Sequence, residues 1–468
     1  MNIIVIKLGG SILQSQSDFE QAARVVNEEL SQGRLPVCIV SAVRGVTDRI
    51  IGSINSVRNE KFGISSFMDT LYEDHSKTLP KGVTSEKLHS EGLKLEQVLN
   101  YIKHSGELSD SVYAYTVSRG ENLAMRILSE HLESLGIKNS CFYGEDIIVT
   151  DENVRDAAVD LEKTQIQVDK ILTPELDKGI IPIVAGFAGR SKSGLVTILG
   201  RGGTDDTAAC LGFCLNASKV VKFVDEGGIM SLDPKFAREL NKNRAVVDKI
   251  GLIPAPTLIP YLSYVEASEL LREERTKIVH FKVLEPLMKG GITLELKSIE
   301  KNMGGTVIGP ENGQNGSKKP KALSYQRDLY GVRILPSQAI LPTDVYAQIF
   351  RALSDAGVDV RYLSTSGYQV SLLMSENDID LAMDALSKNK AAMEVKRIDG
   401  KKATLSIVGS GMRGVKGLFS KFTGALAQYG VNIEQATQPN SENIIRVSIA
   451  DEDLPLAAAA VYKAFFSG

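Results

Sequence analysis

The chain has 468 residues, of which 43% are hydrophobic and 24% charged, and at roughly 150 residues per domain it has room for about three domains with sizeable cores. A net charge of −3 and a pI near 6.1, with no block of Lys and Arg, exclude nucleic acid as the main partner. Any anionic ligand must then be met locally, by backbone amides and a few cations.

The first element is the apolar run of residues 3–6, too short for a signal-peptide core or a membrane span. A cytoplasmic protein is expected. Lys7-Leu-Gly-Gly-Ser11 follows at once. It fits either a tight strand-to-helix turn or a loop that aims amides at a phosphate, with Lys7 adding charge. A helical pattern from about residue 18 leads to a second buried strand, Pro36-Val-Cys-Ile-Val-Ser41. This alternation predicts βαβ units in a parallel sheet covered on both faces. The string Ser41-Ala-Val-Arg-Gly-Val-Thr47 that ends this strand offers hydroxyls, either to a ligand or as a helix N-cap.

Residues 48–135 read as helical, and Ser118-Arg-Gly-Glu121 as a helix start. Strand patterns return at 140–148, 180–185 and 219–224. In open α/β sheets ligands bind beyond the carboxyl ends of the strands, where most of these polar motifs fall. Gly200-Arg-Gly-Gly-Thr-Asp-Asp-Thr207 carries a stronger signal. Its glycines precede an apolar helix for which Thr204 or Asp205 would be the N-cap, so the positive end of the helix faces the loop. Two such anion cradles on one sheet suit a phosphoryl donor facing an anionic acceptor.

Asp225-Glu-Gly-Gly228 and Asp233-Pro-Lys235 follow the 219–224 strand, where bare backbone suits a purine and Lys235 a phosphate. Ser263-Tyr-Val-Glu266 reads as a capping box, and His280 as a structural histidine. Cys38, Cys141, Cys210 and Cys214 form no CxxC pair. They fit a reducing compartment, with Cys210 and Cys214 in a core. No HExxH, no GxSxG with a partner histidine and no Cys/His metal spacing occurs, so zinc hydrolysis and Ser or Cys nucleophiles are not expected.

The Gly/Asn/Pro-rich stretch from Gly309 to Pro320 reads as a linker. Beyond it Ala352-Leu353 and Gly357-Val-Asp-Val360 recur 73 residues later as Ala425-Leu426 and Gly430-Val-Asn-Ile433. Each repeat reads strand, helix, strand, strand, helix, with a last strand that is not clear from the pattern. That is the order of a ferredoxin-like module.

In this order the motifs resemble those of the aspartate kinases in the amino-acid-kinase superfamily, and the repeats resemble ACT domains. Val408-Gly-Ser-Gly-Met-Arg-Gly-Val-Lys-Gly417 is similar to that family's second ACT loop. The resemblance implies a catalytic domain over 1–308 with a mainly parallel sheet sandwiched by helices, a linker over 309–322, and ACT domains over 323–396 and 397–468. It implies ATP-dependent phosphorylation of the β-carboxylate of L-aspartate, the first step towards lysine, threonine and methionine.

Lys7 and Asp205 would then be catalytic, and Ser41, Thr47, Glu121, Phe187, Arg201 and Thr204 would bind aspartate. ATP would be held by Lys7, Gly9, Gly10, Ser11, Val224, Asp225, Gly228, Met230, Asp233, Lys235 and Lys277. Mg²⁺ would be carried by the nucleotide phosphates, with no metal ligands from the protein. Ser410, Met412, Val415 and Gln438 would meet an amino-acid effector, lysine or threonine, if the chain has one. At least a homodimer through the ACT domains is implied, and no homoserine dehydrogenase half is expected after the second repeat.

The chain departs from the family pattern at Val224 and Met230, where Thr and Tyr are usual, at Arg275-Thr276 and at Phe281. In the repeats it departs at Ser337-Gln-Ala-Ile-Leu-Pro342, Pro439 and Ile444. The alternatives are a sibling kinase for another acidic amino acid and a non-catalytic ACT sensor.

Overall fold

The computed structural model describes residues 2–59, 61–224, 227–273, 278–299, 304–311, 318–336, 342–366, 369–388 and 393–467. The strands are β1 (Ile3–Leu8), β2 (Leu35–Val40), β3 (Asn139–Phe142), β4 (Val149–Thr150), β5 (Ile181–Ala185), β6 (Ala188–Ser191), β7 (Val196–Ile198), β8 (Lys219–Phe223) and β9 (Tyr261–Ser263). They continue with β10 (Thr293–Lys297), β11 (Thr306–Gly309), β12 (Ala322–Pro336), β13 (Val360–Ser366), β14 (Gln369–Met374), β15 (Met393–Val408), β16 (Gln435–Thr437) and β17 (Ile444–Ala450). The chain divides into two compact units. One holds the described residues of 1–229, 260–264 and 277–311, and the other those of 230–259, 265–276 and 312–468. Residues 230–259 and 265–273, expected within the 1–308 domain, therefore pack in the second unit.

The first unit is built on an eight-stranded sheet in the order β3-β5-β2-β1-β8-β10-β11-β9. Every pairing is parallel except β10 with β11. The central strands β1, β2 and β5 are buried on both faces and apolar apart from Lys7, as helices on either side of a parallel sheet require. Residues 46–134 form five helices, closed at their starts by local chemistry where Ser85 and Ser109 accept amides three residues on. Ser15 and Asp18 likewise form a capping box for the helix Gln16–Ser31. The main core joins β1, β2 and β5 to Phe19, Ile50, Leu95 and Leu128 of these helices. Cys38, Cys210 and Cys214 are buried, and burial pushes the Cys38 thiol up to about 12.

The second unit carries a six-stranded sheet in the order β13-β14-β12-β15-β17-β16. β12 and β15 pair antiparallel from Ala322↔Val408 to Pro336↔Met393, with irregularities between Gln326 and Gly331. β14 joins β12 only at its second half, from Tyr330 to Ile334, and β17 joins β15 only at Lys402–Val408. The first repeat thus runs from the second half of β12 to the first half of β15. The second repeat, expected over 397–468, starts in the second half of β15 and ends in the helix Leu454–Phe466. Its closing strand is the first half of β12, from the chain ahead of the first repeat. That is why no last strand was visible after residue 450. The 337–341 stretch lies outside the described residues.

Candidate active site

Lys7 is the fifth residue of β1, and its ammonium reaches the Asp205 carboxylate, Nζ to Oδ1 2.9 Å. Asp205 lies on the helix Gly203–Cys214. The N-cap of this helix is Gly202, at φ +79°, and neither Thr204 nor Asp205 as the pattern suggested. The amides of Asp205 and Asp206 both donate to the Gly202 carbonyl, so the Asp205 side chain is released from capping and turned inward. Only Gly fits at 202, since a Cβ there would lie 2.6 Å from His280 Cβ. His280 is thus packed under the loop.

A second lysine, Lys222 of β8, donates to Asp205 Oδ2 at 2.5 Å and to the carbonyl of Ile278. Burial opposes ionisation of Asp205, but Lys7 and Lys222 outweigh it and hold the carboxyl below its ordinary value. Burial, with the charge of Lys7, pulls the Lys222 ammonium down to about 8 against the attraction of Asp205. The neighbouring Asp206 is pushed up to about 7, chiefly by burial. Nothing in the motif reading singled out Lys222. The signal was a lysine inside Val220-Val-Lys-Phe-Val, which an all-apolar buried strand does not need.

The turn after β1 is pressed against the turn after β2, and a Cβ on Gly10 would lie 2.6 Å from the Ala42 carbonyl. Gly9 and Gly10 put no side chain beside Lys7, whose Nζ would lie 3.0 Å from a Cβ on Gly9. Ser41 donates its amide to Leu8, and the helix Val46–Ser56 is capped by Gly45 at φ +78° with no side-chain bond. Neither Ser41 nor Thr47 is the N-cap, so both partly exposed hydroxyls are left for another use. Ser118-Arg-Gly-Glu121 does open a helix, Arg119–Ser134, yet Glu121 is only 4% exposed. Gly120 packs on Ala42, which sets Glu121 behind the β2 turn. Glu121 Oε2 has no hydrogen-bond partner among the described residues. Burial raises this carboxyl to about 7 despite backbone hydrogen bonds at Ala42 and Glu121 and the charges of Arg119 and Lys7.

Phe187 follows β5 at φ +73°, its amide fixed by Thr207 Oγ1 at 3.1 Å, and Gly186 and Gly203 closely approach Thr204 and Phe187. Arg201 is exposed at the mouth of the loop. Lys7, Ser41, Phe187 and Val224 thus mark the carboxyl ends of β1, β2, β5 and β8, adjacent strands of one sheet. Val224 and Gly228 are buried in the first unit. Met230, Asp233 and Lys235 belong to the second, where Asp233 caps the helix Pro234–Lys242 through the Lys235 amide and Lys235 is exposed. Asp225 and Lys277 lie outside the described residues.

In the second unit Ser410 is held by Glu266, whose Oε1 accepts the Ser410 amide and hydroxyl at 2.6 and 2.7 Å while Lys321 meets Oε2 at 2.8 Å. Glu266 is fully buried, with a role beyond the capping box its spacing suggests. Met412 packs inside the core, Val415 is partly exposed and Gln438 exposed.

The sequence model of the amino acid kinase family matches residues 2–298. This chain belongs to the amino acid kinase family. An ACT domain model matches 342–389 and 405–465, the two repeats of the second unit. The chain is 24% identical to the bifunctional aspartokinase/homoserine dehydrogenase of Haemophilus influenzae over 99% of its length, but spans 56% of that protein. It is also 24% identical to aspartokinase 2 of Bacillus subtilis, covering 99% of this chain and 98% of that one. The fold is shared with Escherichia coli aspartokinase III crystallised with aspartate and ADP in the R-state. That match has a TM-score of 0.81 at 21% identity and covers 99% of this chain and 100% of that one. No helix among the described residues is long and apolar enough to cross a membrane.

Proposed function

We propose that this amino acid kinase transfers the γ-phosphoryl group of ATP to the β-carboxylate of L-aspartate, giving 4-phospho-L-aspartate for lysine, threonine and methionine synthesis in the cytoplasm. The observation that carries it is the buried, unpartnered Glu121 oxygen set near Lys7 and its Asp205 partner. It pairs a receptor for an ammonium with a centre of charge for phosphoryl transfer. Full-length similarity to aspartokinases supports aspartate over other acidic acceptors.

Phosphoryl transfer asks for positioning and charge neutralisation more than for a covalent nucleophile. In this reading Lys7 neutralises charge on the transferring group and Asp205 orients Lys7. The backbone amides of Gly9, Gly10 and Ser11 receive the phosphates. Arg201 grips the α-carboxylate of aspartate, Glu121 its ammonium, and Ser41, Thr47, Thr204 and Phe187 shape the pocket. Val224, Gly228, Met230, Asp233 and Lys235, with Asp225 and Lys277, hold the nucleotide. A Mg²⁺ ion would be carried on the nucleotide phosphates, where it would supply further charge neutralisation. Ser410, Met412, Val415 and Gln438 receive an amino-acid effector, and the ACT sheet pairs two subunits.

The test is ADP release from Mg-ATP with L-aspartate, L-glutamate or N-acetyl-L-glutamate, each with and without lysine and threonine. Turnover on aspartate alone is expected, whereas turnover on glutamate or its acetyl form alone would transfer the assignment to a sibling kinase. Glu121 adds a pH signature. With its carboxyl at about 7, the ionised form that attracts an ammonium prevails above neutrality. KM for aspartate should fall as pH rises from 6 to 8. Glu121→Gln should raise KM about 30-fold, the loss of one charge-assisted hydrogen bond, and flatten that dependence. A Glu121→Gln enzyme with the wild-type KM and profile would remove Glu121 from the pocket.

A further inference from the structure

The roles assigned above leave Lys222 unused, although it is among the most deeply buried cations of the first unit at 7% exposure. β1 and β8 are parallel neighbours with Lys7 and Lys222 directly in register, so both side chains leave the sheet on the same face. The helix bearing Asp205 covers that face, and its single carboxylate bridges them, with Lys7 on Oδ1 and Lys222 on Oδ2. An ion pair of Lys7 with Asp205 is neutral. A further buried ammonium carries a desolvation penalty, so an apolar residue at 222 would serve the core better.

We propose that Lys222 is a positioning residue for phosphoryl transfer, which locks the Asp205 carboxylate so that it presents Lys7 and leaves the three-residue cluster with a net positive charge for the transferring group. The inference rests on the kinase reading. Its geometry is held from two sides: the Ile278 carbonyl accepts a second hydrogen bond from the Lys222 ammonium, which fixes the direction in which Lys222 meets Asp205 Oδ2. Among the described residues, the charged groups that act on Lys222 are Lys7 on β1 and Asp205 and Asp206 on the helix. Glu295 and Lys297 of β10 flank Leu296, the register partner of Lys222, and so point to the opposite face. Because Lys222 loses its proton near 8, the cluster loses its positive charge as pH rises through that value. Turnover then declines on the alkaline side.

The experiment is the pH profile of kcat, with KM for aspartate and ATP, for wild type, Lys222→Met and Lys222→Arg, alongside thermal unfolding of each. Lys222→Met should lower kcat at pH 7.5 about 100-fold with either KM changed less than about threefold, the pattern of an interaction made in the transition state. Its profile should lack the decline near pH 8. Lys222→Arg keeps the charge and should restore part of the rate and hold it to higher pH. Three outcomes would overturn the proposal. They are a Lys222→Met kcat within about twofold of wild type, a decline near pH 8 that persists without the lysine, and a loss of rate that only tracks loss of folded protein. Should Lys222→Met fail to fold, the Lys222→Arg profile alone decides, since an unmoved decline refutes the role. Wild-type turnover on an acceptor other than aspartate would refute the substrate assignment but leave this inference standing. Wild-type transfer to no acidic acceptor would refute both.

Discussion

Asp205→Asn should lower kcat about 1,000-fold while leaving KM for ATP and aspartate within about tenfold, because the loss falls on the transition state. The amide keeps the shape of the carboxylate but not its charge. Two ammonium groups, at 2.9 and 2.5 Å, would then face each other with no anion between them. One of them must lose its proton or swing away, and either change removes the aim of Lys7. Leaving buried cations unpaired also costs stability, on the order of 3–5 kcal/mol when one partner of a buried pair is removed. Steady-state kinetics and urea unfolding read the two effects separately. An Asn variant with kcat within tenfold of wild type would take Asp205 out of the machinery.

Glu266→Ala should destabilise the second unit by about 3 kcal/mol, seen as a lower urea midpoint for that unit's transition. The carboxylate is fully buried and accepts the Ser410 amide, the Ser410 hydroxyl and the Lys321 ammonium. Alanine leaves those donors without this acceptor. Glu266 also bears on the effector site proposed above. A free amino acid offering its carboxylate to Ser410 would compete with one already in place, so the same substitution should change any response to lysine or threonine. Unchanged stability would show that the Glu266 clasp contributes nothing to the fold.

What was readable in the sequence depended on how local its cause is. The strand after Met1, the turn at Gly9-Gly10 and the helix opening at Arg119 each follow from a few neighbouring residues. The two repeats followed from periodicity. Lys222 was missed because its meaning depends on the register of β8 beside β1, which local pattern does not reveal. Thr204 and Asp205 looked like N-caps because both residue types favour that position, but the left-handed backbone at Gly202 moved the helix start. Glu266 sits at capping-box spacing from Ser263, yet its oxygens are claimed by residues 321 and 410. The repeats were legible as a tandem. Their interlocking through β12 and β15 was not, since strand order in space need not follow strand order in the chain.

That interlocking makes the pair a single heritable object. Neither repeat can be shuffled, fused elsewhere or lost by a simple cut between them. Removing the first repeat with the whole of β12 would open the edge of the second, and removing the second would strip half of a long ribbon that the first also uses. A rearrangement that kept the sheet intact would have to move the two modules together.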